Sequence, residues 1–123
     1  MTKISFFCAL ISFCCMSCYY DNEEELYPAT TCNAENISYN SDVLPILNSK
    51  CLTCHNTVSA PSIGNNINME GYNNLKVYIN NNKFIGAIRH SNGFSPMPKG
   101  SSKLPACEIL KIESWVNAGS PEN

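Results

Sequence analysis

The sequence predicts an all-α domain with long loops, and three observations carry that expectation. Apolar residues recur at helical spacing in short stretches, as in Tyr72, Leu75, Tyr78 and Ile79 and again in Ile109, Ile112, Trp115 and Val116. Between such stretches lie segments rich in Ser, Asn, Pro and Gly, a composition that supplies turns. No run alternates polar and apolar residues in the way a half-buried strand does.

A length of 123 residues leaves room for a single domain. Lys3 followed by an apolar run over residues 4–15, too short to span a bilayer as a helix, reads as an export signal covering residues 1–17. Met16-Ser17-Cys18 and the polar Tyr19-Tyr20-Asp21-Asn22 behind it have the layout of a bacterial lipoprotein junction, with Cys18 as the acylated residue. Cys15 stands where such a junction usually has Leu, and an ordinary signal cleaved nearby is the alternative. Residues 18–31 then form a flexible tether whose Glu23-Glu24-Glu25 run is a solvated linker, and residues 32–123 form the folded domain. The protein is expected to be exported, periplasmic or at the cell surface, with the lipid on Cys18 as its membrane attachment. A net charge of −2 with Lys and Arg scattered singly speaks against nucleic acid as a partner.

Within the domain, Ser41 or Asp42 can cap a first helix that carries Val43, Leu44, Ile46 and Leu47 and runs toward Cys51, with Pro45 in or just after its first turn. Residues 56–71 read as a loop. Helices are expected over 72–79 and 84–88, parted by an Asn cluster, and both could wall a planar ligand. Gly93, Pro96, Pro98 and Gly100 make residues 91–102 irregular. A last helix should take Pro105 as its first position and stop before Gly119 and Pro121. Leu110 lies off its apolar stripe, which predicts contacts on more than one face.

Eight cysteines in an exported chain need an accounting. Cys8, Cys14 and Cys15 leave with the signal, Cys18 takes the lipid, and Cys51 and Cys54 belong to a single motif. Cys32 and Cys107 are left over, and an oxidising compartment favours a disulfide between them over two buried thiols. Closing a loop of that length is worth about 4 kcal/mol in the chain-entropy account.

Cys51-Leu52-Thr53-Cys54-His55 has the spacing of covalent haem attachment: each thiol can add to one vinyl group while the adjacent imidazole binds iron. A structural zinc site is the main chemical competitor, and its further donors would come from Cys32, Cys107 and His90. A thioredoxin-like redox motif would need a βαβ surrounding that the sequence lacks. A six-coordinate iron needs a second axial donor, and Met97, bracketed by Pro96 and Pro98 in a breaker-rich loop, suits that role. His90 is the rival donor, and Met69 a weaker one.

From Cys32 onward the chain resembles the small monohaem class I cytochromes c that bacteria export or anchor by lipid. The matching residues are Val43-Leu44-Pro45-Ile46-Leu47, Cys51-Leu52-Thr53-Cys54-His55, Phe94-Ser95-Pro96-Met97-Pro98 and Ile112-Glu113-Ser114-Trp115-Val116-Asn117-Ala118-Gly119. The resemblance implies a cytochrome c-like fold of about four short helices around one covalent haem c, with an N-terminal helix crossing a C-terminal one near Trp115. It implies Met97 as the distal ligand. The Asn-rich stretch around residues 80–82 and the Cys32/Cys107 pair depart from the family pattern.

The function expected on these grounds is electron transfer between redox partner proteins. The carboxylates Glu70, Glu108 and Glu113 stand alone and no Ser/His/Asp arrangement occurs, so the chain reads as a carrier and not as an enzyme by itself. The alternative is a five-coordinate haem protein that senses a gas or acts on peroxide.

Overall fold

The computed structural model describes residues 32–123, so the expected signal over 1–17, the tether over 18–31 and Cys18 lie outside the described residues. A π-helical turn (Tyr39–Val43) leads into α1 (Leu44–Lys50), and α2 (Leu52–His55), α3 (Tyr72–Asn80), α4 (Lys83–Ile88) and α5 (Ala106–Asn117) follow. No strand occurs among the described residues, and the domain is all-α.

The first helical segment begins earlier than its sequence suggests. Ser38 is the cap: its Oγ accepts the Ser41 N–H at 3.4 Å, while Asp42 Oδ2 accepts the Ser38 N–H at 3.1 Å. This reciprocal pair satisfies N–H groups that a helix start would leave bare. Asp42 thus serves the cap from inside the turn and is not itself the cap. The Ser38 N–H and, next, the Lys111 ammonium hold its carboxyl below the ordinary Asp value. Pro45 falls in the first turn of α1 as expected.

Helices α3 and α4 are parted by Asn81 and Asn82, the latter left-handed at φ 59°, a conformation that Asn tolerates better than most residues. Pro105 precedes α5 as its cap, with ψ 142°, one position before the expected one. Gly119 at φ 93° ends α5, and the Ser120 N–H returns to the Trp115 carbonyl at 2.9 Å.

The buried residues Val43, Leu47, Leu75, Ile79, Phe84, Ile88, Ile109, Ile112 and Trp115 form a single core. Tyr39 ties its two ends together: its ring stacks on Trp115 with centroids 5.5 Å apart and meets Tyr72 edge-on at 5.4 Å. The polar tips of these rings are satisfied, since Trp115 Nε1 donates to the Pro121 carbonyl at 2.8 Å and the Tyr72 hydroxyl to the Ser120 carbonyl at 2.7 Å. The N-terminal turn therefore packs on the C-terminal helix. Leu110 is 41% exposed, so the side of α5 on which it lies is not packed. Cys32 and Cys107 are paired as a disulfide with Cα atoms 5.6 Å apart.

Candidate functional site

The junction of α1 and α2 sets the geometry of the Cys-x-x-Cys-His run. The Cys51 N–H still reaches the Leu47 carbonyl at 2.8 Å, but the residue's ψ of −46° comes with φ at −121°, which bends the chain and starts a new short helix. The N–H groups of Cys54 and His55 both return to the Cys51 carbonyl, at 3.2 and 3.0 Å. One helical turn therefore brings the i and i+3 thiols to neighbouring positions and sets the imidazole beside them. Both thiols are free and partly buried.

His55 is buried, and its Nδ1 lies 2.9 Å from the Ile67 carbonyl oxygen. A carbonyl only accepts, so Nδ1 carries the proton, which leaves Nε2 as the ring nitrogen that can offer a lone pair to a metal. The loop over residues 56–71 exists in a form that supplies this contact. Asn56 Oδ1 accepts from the N–H groups of Val58 and Ser59 at 2.9 and 2.7 Å, turning the chain at once after His55. Gly64 then passes so close that a Cβ there would lie 2.3 Å from the Cys54 carbonyl oxygen and 2.8 Å from the Ala60 Cα. The loop returns with the Met69 N–H on the His55 carbonyl at 2.8 Å. Hydrogen bonding from Thr57 holds the exposed Glu70 carboxyl below its ordinary value and pins the loop's outer edge. Met69 itself is a core residue, packed among the buried apolar side chains.

Burial, and after it the negative charge of Glu108 on α5, pushes the Cys51 thiol up to about 11. Glu108 Oε2 is buried without a hydrogen-bond partner. Nothing in the sequence singled out this carboxylate or the Ile67 carbonyl. The first lies far along the chain from the motif, and the second is a backbone atom that any residue type would provide.

Met97 lies in the irregular segment after α4 and is partly buried. Its N–H donates to the Ala87 carbonyl at 3.1 Å, and its own carbonyl oxygen lies 3.0 Å from His90 Nε2. The two candidate distal donors are thus brought together, with one ring nitrogen of His90 spent on the backbone of Met97. Phe94 closes the segment by laying its ring on Gly86, where a Cβ would meet it at 2.5 Å.

The donors fit covalent haem attachment: two free thiols one turn apart, and next to them an imidazole whose Nε2 is available and whose other nitrogen is held. They do not extend to a zinc site, because Cys32 and Cys107 are bonded to each other. Among the described residues no group of three or more His, Cys, Asp and Glu side chains converges to hold a metal ion. No helix among the described residues is long and apolar enough to cross a membrane. No family model matches the chain, and neither does any curated protein or solved structure.

Proposed function

We propose that the domain is a small cytochrome c-like electron carrier with one haem c, bonded through Cys51 and Cys54 and ligated by His55 and Met97. The observation that carries the reading is the His55 Nδ1 hydrogen bond to the Ile67 carbonyl at 2.9 Å, which fixes both the tautomer and the plane of an imidazole adjoining two free thiols. The packing of the N-terminal turn on α5, with Tyr39 stacked on Trp115, supports the class I fold implied by the motifs.

A bound haem supplies a one-electron ferric/ferrous couple. The chain's part is to hold it. Cys51 and Cys54 would hold it through their thiols, while His55 would present Nε2 from an imidazole that cannot turn without giving up the Ile67 carbonyl. Met97 would offer a soft thioether, which favours the ferrous state relative to a second imidazole. Ligands that stay in place in both oxidation states keep reorganisation small. The domain would then work as an exported, lipid-anchored carrier that passes electrons between redox partner proteins.

The test is the mass of denatured protein made in a host with haem-attachment machinery. Retained haem supports the reading, and its loss in the double variant Cys51→Ala, Cys54→Ala assigns the bonds. Protein without covalent haem contradicts it. Carbon monoxide binding to the untreated ferrous form would point instead to a five-coordinate sensor or peroxide-reactive haem.

A further inference from the structure

The end of α4 is built in an unusual way. The Ser91 N–H bonds the Gly86 carbonyl at 2.9 Å and the His90 N–H bonds the Ala87 carbonyl at 3.2 Å, the paired pattern that closes a helix through a left-handed residue. That left-handed residue is His90, at φ 55°. Glycine is the usual occupant of such a position, because any Cβ is crowded there. α5 follows the usual choice, with Gly119 in the corresponding place at φ 93°. A side chain at the end of α4 therefore works against the backbone, and this one ends in a hydrogen bond: Nε2 lies 3.0 Å from the Met97 carbonyl oxygen.

From these observations we infer that His90 is a positioning residue for Met97. Its Nε2–H donates to the Met97 carbonyl while the Met97 N–H donates to the Ala87 carbonyl, so both backbone polar groups of Met97 are tied to the end of α4. The Phe94 ring lies over Gly86 of the same helix, and the Phe94 N–H closes a local turn onto the Ser91 carbonyl at 3.2 Å. Two fixed points on its own backbone leave the Met97 thioether only its side-chain torsions to lose on binding iron. A thioether is a weak donor, so the hold on the backbone decides how well Met97 competes with other ligands. On this account His90 serves the site without touching iron.

The inference rests on the function proposed above, and its test separates the two. Holo-protein is compared as wild type, His90→Gly and His90→Gln. Glycine suits the left-handed position, so His90→Gly should keep or raise the thermal midpoint, and a mere helix-ending role would be fully preserved. The Met97 hold should nevertheless weaken: imidazole should displace Met97 from ferric iron with about three- to tenfold higher affinity, the range of one net hydrogen bond. The Met97 amide should exchange its hydrogen faster by a similar factor. His90→Gln, whose amide N–H can reach a similar distance, should restore part of both. Unchanged imidazole affinity in His90→Gly overturns the inference, as does faster exchange with no change at iron. Loss of the second axial ligand in His90→Gly but not in Met97→Ala would also overturn it, by making His90 the ligand. Wild-type protein without haem contradicts the proposed function instead, and amide exchange at Met97 then still decides whether His90 anchors the segment.

Discussion

His55 and Met97 stand on opposite kinds of support. His55 closes the short helix α2, is buried, and is hemmed in by a loop that leaves and re-enters at its own backbone. Met97 rides on a segment without regular structure, partly buried and tied to α4 by two hydrogen bonds and the edge of Phe94. The difference is one of what must yield. At Gly64, on the His55 side, the tightest contacts are backbone against backbone, whereas at Gly86, on the Met97 side, they are to a side chain that can swing away. In the proposed haem site this would keep one ligand fixed and leave the other as the place where geometry, and with it ligand exchange, can be tuned.

The largest expected effect comes from the brace across the His55 side. Cys107 lies one residue before Glu108, the carboxylate whose charge acts on Cys51, and the bond to Cys32 holds that end of α5 to the start of the domain. Replacing both Cys32 and Cys107 by Ser should lower unfolding stability by about 2–4 kcal/mol, read by denaturant titration. A loss too small to measure would mean that the core alone holds this end of α5.

The two glycines sharpen the comparison directly. Gly64→Ala would drive a Cβ into the Cys54 carbonyl and the Ala60 backbone, which cannot move without unseating α2, so a loss of about 1–3 kcal/mol is expected. Gly86→Ala meets the Phe94 ring first, a side chain itself 38% exposed, and should cost less than about 1 kcal/mol while weakening the proposed Met97–iron bond. Equal stability losses from the two would break the proposed distinction.

A further expected effect is chemical. In protein made without haem attachment, the rise of the Cys51 thiol from 9.0 to about 11 leaves it protonated at neutral pH. Its alkylation at pH 8 should run about a hundredfold below that of an ordinary thiol and still be climbing at pH 10. Because the folded-state value lies above the unfolded one, the same protein should be most stable below about pH 9 and lose stability as pH rises toward 11. Glu108→Gln should speed the alkylation by removing the nearby charge. A rate unaffected by that change would leave burial as the sole cause.

How much of this was legible from residues alone follows the same division. The helices came through because apolar spacing reports a buried face: Leu75 and Ile79 are buried on α3, as are Ile109, Ile112 and Trp115 on α5. Errors fell at the ends. Ser38 caps the first segment in place of Ser41 or Asp42 because a π turn adds a turn that apolar periodicity does not register, and Pro105 caps α5 without entering it. Leu110 lies off the stripe and is exposed, since one apolar residue does not make a second packed face. The leftover Cys32/Cys107 pair was readable because cysteines without another role in an exported chain are chemically specific, and the Cys51-Leu52-Thr53-Cys54-His55 run could be picked out on its spacing as a candidate site. The contacts that hold them were not. The Ile67 carbonyl, the squeeze at Gly64 and the buried Glu108 oxygen depend on where a loop and α5 come back in space. His90 entered as a rival donor to Met97 and is found on the Met97 carbonyl, an arrangement that needs the left-handed end of α4 to bring the ring back over the chain.

The central claim is an iron held between a fixed His55 and a tunable Met97, and the most direct measurement is the far-red absorbance of the ferric protein that marks a methionine-to-iron bond. The account predicts the band in the wild type, its loss in Met97→Ala, and carbon monoxide binding to the ferrous form of that variant only. A wild-type ferric spectrum without the band, together with carbon monoxide binding to the untreated ferrous protein, would contradict it.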